Sequence, residues 1–459
     1  MKILIGTVNL NNKILTDLFI ESVCDAASFC HSEHKIDIVV VDNGSSDDSI
    51  SYIKSKGYLD YINFIENKTN IGVAGAWNQI IKYGFKDDQP LYDYYFICNN
   101  DIYWTKYSIT NFIQSVKSQT EFGCISFMAN DYKEPSVKIP EIQQIENQYW
   151  SIRPNPDNIQ TKEQIKDILD IVYHTWGGIE EFTEELKKYG NKLREIHPKA
   201  FCFALTKECI KQVGLFDEYN SPVGLHEDVD YHERIRRFSK LKIGMVPNAY
   251  VHHMSMMTRT KSNFKNDWVE KREQAFKEKW TVSSKDLHTL QDIKFKLDIG
   301  AGYGPKIEPG WMHLDTDNQF NHIEYLHDCS KTLPFGDNTI DEIYSSNCLE
   351  HQEWKKVQDI LKDWIRCLKP NGKIEIRVPN FEFAVYRYIE KSWGLRYDTG
   401  ELNIMHLLMG GDHEGVAHIH KSLFDFDNLS LLMNNAGLKN IKNISQSGSW
   451  ELRMTGIKK

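Results

Sequence analysis

Several things that would classify the chain at once are missing from its 459 residues. None of the nine cysteines forms a CxxC pair, and their number is odd, which argues against a disulfide framework and a zinc site and suits a reducing, cytoplasmic setting. No run approaches the roughly 18 apolar residues needed to span a bilayer, so no transmembrane segment is expected and any membrane contact would be peripheral. The opening MKILIGTVNLNN is too brief for a signal h-region and has no small-residue cleavage site; it reads as a first β-strand. No internal repeat or low-complexity tract is present. Basic residues are outnumbered, 55 Lys plus Arg against 64 Asp plus Glu, and a net charge of −9 makes nucleic acid an unexpected partner.

What is there is an ordinary globular composition, 41% hydrophobic and 26% charged, long enough for two large units. Short β-branched runs alternate with helical patterns: KILIGTV, IDIVVVD, YINFIEN and YYFICNND, with amphipathic segments between them. That alternation predicts an α/β fold with a parallel sheet, its chemistry gathered at the carboxyl ends of the strands. Residues 131–197 break the rhythm with Pro- and Asn-rich stretches and charged helical segments, and read as an insertion or acceptor-side subdomain. DWVEKREQAFKEKWTVSSKD, from 267 to 286, reads as a closing helix and linker, and a second α/β unit begins near 294 with KFKLDIGAGYG. The expected domains are therefore 1–286 and 294–459.

In the first unit five features recur at strand ends. Asp42 closes IDIVVVD ahead of the turn-rich NGSSDDS, where a carboxylate can accept hydrogen bonds from a base or ribose; an ordinary turn is the bland alternative. NKTNIGVAGAWNQ sets Gly72, Ala74 and Gly75 between Asn70 and Asn78, which lets backbone approach a ligand or simply packs a helix start. YYFICNND emerges at Asn99, Asn100 and Asp101, and a carboxylate there can hold a hard divalent cation. HEDVDYHERIRR concentrates Glu227, Asp228, Asp230 and Glu233 with Arg234 and Arg236, and VPNAYVHH ends in His252 and His253, either of which could complete a metal site.

Their order and spacing together resemble the inverting nucleotide-sugar glycosyltransferases of family two, with a GT-A fold, over residues 1 to about 285. The resemblance implies that Asp42, Asn70, Asn78, Asn100 and Asp101 bind the donor, and that Asp101 holds Mg²⁺ or Mn²⁺ with His252 or His253, His252 being preferred. It implies Asp228 as the general base, Glu227 lining the acceptor site and Arg234 steadying the acidic loop by carboxylate pairing. Two asparagines stand where a fuller acidic metal motif would have carboxylates, so only Asp101 is assigned there by the motif.

In the second unit Gly300, Gly302 and Gly304 follow an apolar strand containing Asp298, and the next strand, WMHLD, ends in Asp315. With HDCSKTLPFGDNTIDEIYSSNCLEHQEW and LKPNGKIEIRVPN, this resembles class I S-adenosylmethionine-dependent methyltransferases, of Rossmann-like fold, from about 295 to 459. The resemblance implies that Asp298, Gly300, Gly302, Gly304, Asp315, Asp328 and Asn347 bind S-adenosylmethionine and that His351, with Asn347, lines the methyl-transfer pocket. One departure matters: the ten residues between Gly304 and Asp315 leave no room for the usual first helix plus a strand. His406, His413, His418 and His420 lie in MHLLMGGDHEGVAHIH, where a base, a metal ligand or mere pocket lining are all open, and His418 and His420 would share a strand face.

The expected whole is a bifunctional cytoplasmic enzyme that transfers a sugar from a nucleoside diphosphate donor to a glycan or lipid-linked acceptor and methylates a hydroxyl on the product. The alternatives are a transferase with a non-catalytic C-terminal module, or a non-catalytic sugar-nucleotide-binding protein. A dehydrogenase reading of GAGYG leaves the LPF and LEH segments without a place.

Overall fold

A computed structural model describes all residues except 31–32, 87–88, 132–138, 154, 156–157, 197–200, 219–225, 256–266, 290–292, 307, 309, 318, 391–394, 398–399, 403–407 and 411–418. It divides into two compact units, Met1–Phe276 and Lys277–Lys459.

The first unit is built on a sheet whose central strands bury most of their residues. Lys2–Asn9 and Lys35–Asp42 read as continuous apolar runs, as strands do when helices cover both faces of a sheet. Four strands lie parallel in the order Asn63–Glu66, Lys35–Asp42, Lys2–Asn9, Tyr94–Asn99. The register sets Asn9 against Asp42 and Val8 against Asn99, so the polar ends of three strands reach one edge together.

Beyond them the sheet is mixed. Cys202–Thr206 runs antiparallel between Tyr94–Asn99 and Phe122–Ala129, followed by Lys242–His253 and the short Ile102–Trp104, with Arg194–Glu195 paired to Lys242–His253 off this path. The parallel expectation thus describes the first half of the sheet. Strand and helix periodicities do not encode direction, which depends on how each connection returns to the sheet.

Within 131–197 the described residues form helices Pro140–Ile152, Lys162–Tyr173 and Ile179–Glu185. Lys162–Tyr173 starts with a capping box between Thr161 and Gln164. Their buried faces, including Ile142, Ile145, Tyr149, Leu169, Val172, Tyr173 and Phe182, belong to the same hydrophobic core as the sheet. The segment breaks the sequence rhythm without forming a core of its own.

The second unit has a seven-stranded sheet in the order Tyr325–Leu326, Trp311–Asp315, Lys296–Ile299, Ile340–Ser346, Leu368–Pro379, Glu451–Lys458, Leu438–Asn443. The first five are parallel, and the last two add an antiparallel edge. Helix Trp354–Cys367 buries Val357, Ile360, Leu361, Trp364 and Ile365 at helical spacing, which ties it to the sheet by its apolar stripe. Among the described residues between Gly300 and Trp311 none is helical. Among the described residues no helix is long and apolar enough to cross a membrane.

Candidate active sites

At the strand ends of the first unit a chain of buried polar side chains links the motifs. Asn100 Nδ2 donates to Thr16 Oγ1 (2.9 Å), Thr16 Oγ1 to Asn9 Oδ1 (2.8 Å), and Asn9 Nδ2 to Asp42 Oδ1 (2.7 Å). Asp42 also accepts from Ser45 Oγ and Ser45 N at 2.6 and 2.9 Å. Its carboxylate is fully buried, so Asp42 frames the turn instead of standing out toward a ligand. Gly44 is required here: its φ is +81°, and a Cβ would sit 2.5 Å from the carbonyl carbon of Thr69.

Asn43, absent from the expected set, joins the two loops. Its Nδ2 donates to Asn70 Oδ1 (2.9 Å) and Gly72 O (3.0 Å), and its Oδ1 accepts from Ile71 N (3.1 Å). Asn70 accepts in turn from Gly72 N at 2.8 Å, a turn just ahead of the helix Gly72–Tyr83. Asn78 departs from its expected donor contact. Its amide donates to Phe216 O (2.8 Å) and Glu218 Oε1 (2.7 Å) and accepts from Phe216 N (2.8 Å), so it pins the GLFDE segment.

The acidic end of YYFICNND does meet a histidine, and it is His253. Its Nε2 lies 3.3 Å from Asp101 Oδ1, because Lys242–His253 pairs antiparallel with Ile102–Trp104 and sets His253 opposite Ile102. On the other side Nδ1 is 3.1 Å from Asp131 Oδ2, and Asn130 clamps the His253 backbone at N and O. Burial disfavours a charged ring, but Asp101 and Asp131 outweigh it and raise the imidazole to about 10. Asp101 Oδ1 is buried and, among the described residues, has no hydrogen bond beyond this contact with His253. His252, the preferred metal ligand of the sequence reading, lies away from Asp101, since successive strand residues face opposite sides. His252 points into an aromatic cage, its Nδ1 2.7 Å from Tyr173 OH and its ring edge-on to Tyr149. Burial and the neighbouring His253 push it down to about 3, keeping it neutral. Asp131 was missed, although FMAND repeats the apolar-run-then-acid signal of FICNND.

Glu227 and Asp228 occupy the first turn of helix Glu227–Phe238, which packs on Lys242–His253. Glu227 is buried and Asp228 half-buried. Behind them Arg234 pairs with Asp230 (2.9 Å) and donates to the carbonyls of Val213 and Leu215 at 2.7 and 2.9 Å, anchoring the helix to the GLFDE approach.

In the second unit the glycine turn sits at the end of Lys296–Ile299. Gly300 has φ +74°, and a Cβ there would lie 2.5 Å from Cys348 Cβ. Gly302 N donates to Asp315 Oδ2 (3.0 Å), and Asp315 Oδ1 accepts from Asp317 N (3.0 Å). Gly304 faces open space. Asp298 accepts from Lys306 N at 2.8 Å, and burial raises it to about 6 against that bond. Asp328 accepts from Ser330 N and Oγ, which lower it despite partial burial. Asn347 adopts φ +50° and donates its backbone N–H to Arg377 O (3.0 Å). Of the later histidines, His406, His413 and His418 lie outside the described residues; His420 stands with its ring centroid 5.0 Å from that of His351.

With both geometries in hand, the family matches are specific to the two units. Residues 9–186 match the model described as Glycosyl transferase family 2, and residues 303–376 match that described as Methyltransferase domain. The chain joins a family 2 glycosyltransferase domain to a methyltransferase domain. Its fold is accordingly GT-A-like in the first sheet and Rossmann-like in the second. No curated protein sequence matches the chain.

Among solved structures the chain is similar to the mannosyltransferase PcManGT from Pyrobaculum calidifontis in complex with GDP-Man and Mn²⁺, at 12% identity and TM-score 0.35, covering 60% of this chain and 61% of that one. It is similar to residues 1–349 of S. aureus TarS at 11% identity and TM-score 0.33, covering 60% and 69%. It is also similar to a SAM-dependent methyltransferase from Thermotoga maritima at 15% identity and TM-score 0.26, covering 38% and 87%. The chain thus spans about 61% of the length of the mannosyltransferase it matches.

Proposed function

We propose that this two-domain transferase is a bifunctional glycan-modifying enzyme acting in the cytoplasm. Its first domain transfers a sugar, with inversion, from a nucleoside diphosphate donor to a glycan or lipid-linked acceptor; its second O-methylates the product. The observation that carries the reading is the Asp101–His253–Asp131 cluster at the strand ends of the family 2 domain. The buried Asp101 Oδ1, 3.3 Å from an imidazole nitrogen, fits a divalent cation, Mg²⁺ or Mn²⁺, with Asp101 and His253 as the residues that would hold it. When bound, such an ion neutralises charge on a diphosphate leaving group.

The protein's own residues do the rest. Asp228 takes the proton from the acceptor hydroxyl as that oxygen attacks the anomeric carbon, with Glu227 lining the acceptor site. The Asn9–Asp42–Ser45 network and Asn43–Asn70 hold the two loops against which a nucleotide would lie. In the second domain the turn at Gly300, Gly302 and Gly304, backed by Asp298 and flanked by Asp315, Asp328 and Asn347, suits S-adenosylmethionine, with Gly304 open for close backbone approach. S-adenosylmethionine supplies an electrophilic methyl group. Joining both domains keeps the second step's substrate at high effective concentration.

Calorimetric titration of the full chain with UDP-, GDP- and dTDP-sugars, with and without Mn²⁺, and with S-adenosylhomocysteine, tests both halves. The reading expects one nucleotide to bind in a Mn²⁺-dependent way lost in Asp101→Ala, and S-adenosylhomocysteine binding lost in Gly302→Val. Absence of helix among the described residues from Gly300 to Trp311 favours a second reading, a non-catalytic C-terminal module. Nucleotide binding without S-adenosylhomocysteine binding would select it, and failure of both would overturn the enzyme reading.

A further inference from the structure

The LEH turn of the methyltransferase domain holds a group that none of the roles above uses. Glu350 is 1% exposed, and among the described residues neither carboxylate oxygen has a hydrogen-bond partner. A carboxyl in that state is costly, since burying a polar group without a compensating bond costs free energy, and a buried carboxylate is tolerated mainly when paired or metal-bound. Facing it are two imidazoles. One ligand atom each from Glu350, His351 and His420 can be chosen so that all lie within 4.8 Å of one another.

The three side chains come from two segments that the backbone stitches together. Lys421 N and Ser422 N both donate to Glu350 O, at 2.7 and 3.0 Å, and Ser422 Oγ donates to Gln352 O at 2.7 Å. His420 N donates to Met409 O, fixing that residue's backbone as well. His351 Nδ1 lies 3.3 Å from Ile419 O, the carbonyl contact that sets Nε2 as the lone-pair nitrogen and orients an imidazole for a metal. Glu350 and His351 lie two and three residues beyond Cys348, whose side chain packs on Gly300, so the cluster adjoins the glycine turn.

We propose that Glu350, His351 and His420 form a second metal site, for a divalent transition ion of the Zn²⁺ class. Two imidazoles and one carboxylate are a donor set suited to such ions, and Mg²⁺ or Ca²⁺ would favour an all-oxygen set. Ligand atoms sharing a cation at about 2.0–2.2 Å stand roughly 3–3.5 Å apart, so binding draws the three side chains together by about an ångström. Three protein ligands leave a fourth position for water or another ligand. The site stands independently of the methyl-transfer reading.

The test uses the full chain carrying Asp101→Ala, so that the first domain's cation site does not contribute. After chelator treatment it is titrated with Zn²⁺ by calorimetry and with Co²⁺ by visible absorption. One equivalent is expected, with the intense d–d bands of four-coordinate Co²⁺. Glu350→Gln and His420→Ala should each weaken binding by about 100-fold or more, beyond what loss of an outer-shell partner costs. Should one of these variants fail to fold, the other decides. Absence of a stoichiometric site, or equal affinity in the variants, would overturn the proposal. S-adenosylhomocysteine titration of the same samples separates the two readings: Zn²⁺ binding without cofactor binding removes methyl transfer and leaves the metal site standing.

Discussion

His253 and Glu350 are titratable groups largely withdrawn from solvent, one ending a strand and one in a turn beyond a strand, one in each unit, and their surroundings are opposite. His253 is bracketed by two carboxylates, and its pKa is raised to about 10 because these partners outweigh burial. Among the described residues no cation pairs with Glu350, and burial raises it to about 8, toward the neutral acid. Burial alone therefore says little about a site: what decides is whether the fold supplies the counter-charge or leaves it to a ligand.

The largest expected effect lies with the base. Asp228→Asn should lower the rate of sugar transfer about 10²- to 10⁴-fold while leaving nucleotide affinity near its original value, read from single-turnover kinetics beside calorimetry. Unchanged turnover would remove Asp228 from the mechanism and leave the first site a binding site.

Next comes Glu350 in the metal-free chain. Its folded value is raised above the unfolded 4.5, so the stability it contributes is whole below about pH 4.5 and is lost as pH rises through about 8. The loss across that window should be about 3 kcal/mol, and Glu350→Gln should abolish it; melting curves from pH 5 to 8 for the two proteins check this. Parallel curves would mean that a partner already answers the carboxylate.

A smaller effect is expected from Gly300→Ala, which forces a Cβ against Cys348 at a positive φ. It should cost about 1–3 kcal/mol, and pairing it with Cys348→Gly should recover the steric part but not the backbone part. The smallest is Asp131→Asn. His253 contributes stability that is whole below about pH 6.5 and lost as pH rises through about 10, so removing one of its two carboxylates should bring the upper edge of that window down. Imidazole proton resonances followed against pH would read the shift directly, and an unmoved titration would assign the effect to Asp101 alone.

Much of the architecture is legible in the sequence. The strands IDIVVVD and YYFICNND, the small-residue helix start at Gly72 and the glycine turn at Gly300 follow from local pattern, because periodicity and turn chemistry are local properties. The choice between His252 and His253 is not, since it turns on strand register, and one residue's shift exchanges core for site. Asn78, expected at the donor, bonds to Phe216 and Glu218, about 140 residues away, partners that no local window contains.

By itself, then, the sequence determined two α/β units, the polar strand ends that carry their chemistry, and the identity of Asp101, Asp228 and the glycine turn as the residues to watch. Only the tertiary structure decided which groups share a charge. Sheet order brought Ala129 beside Val251, and with it Asp131 beside His253, while the return of 420–422 onto Glu350 surrounded a carboxylate with imidazoles. The physical reason is range: helices, strands and turns are set by neighbours a few residues apart, whereas the electrostatics of a buried group are set by whatever the fold places within a few ångströms of it.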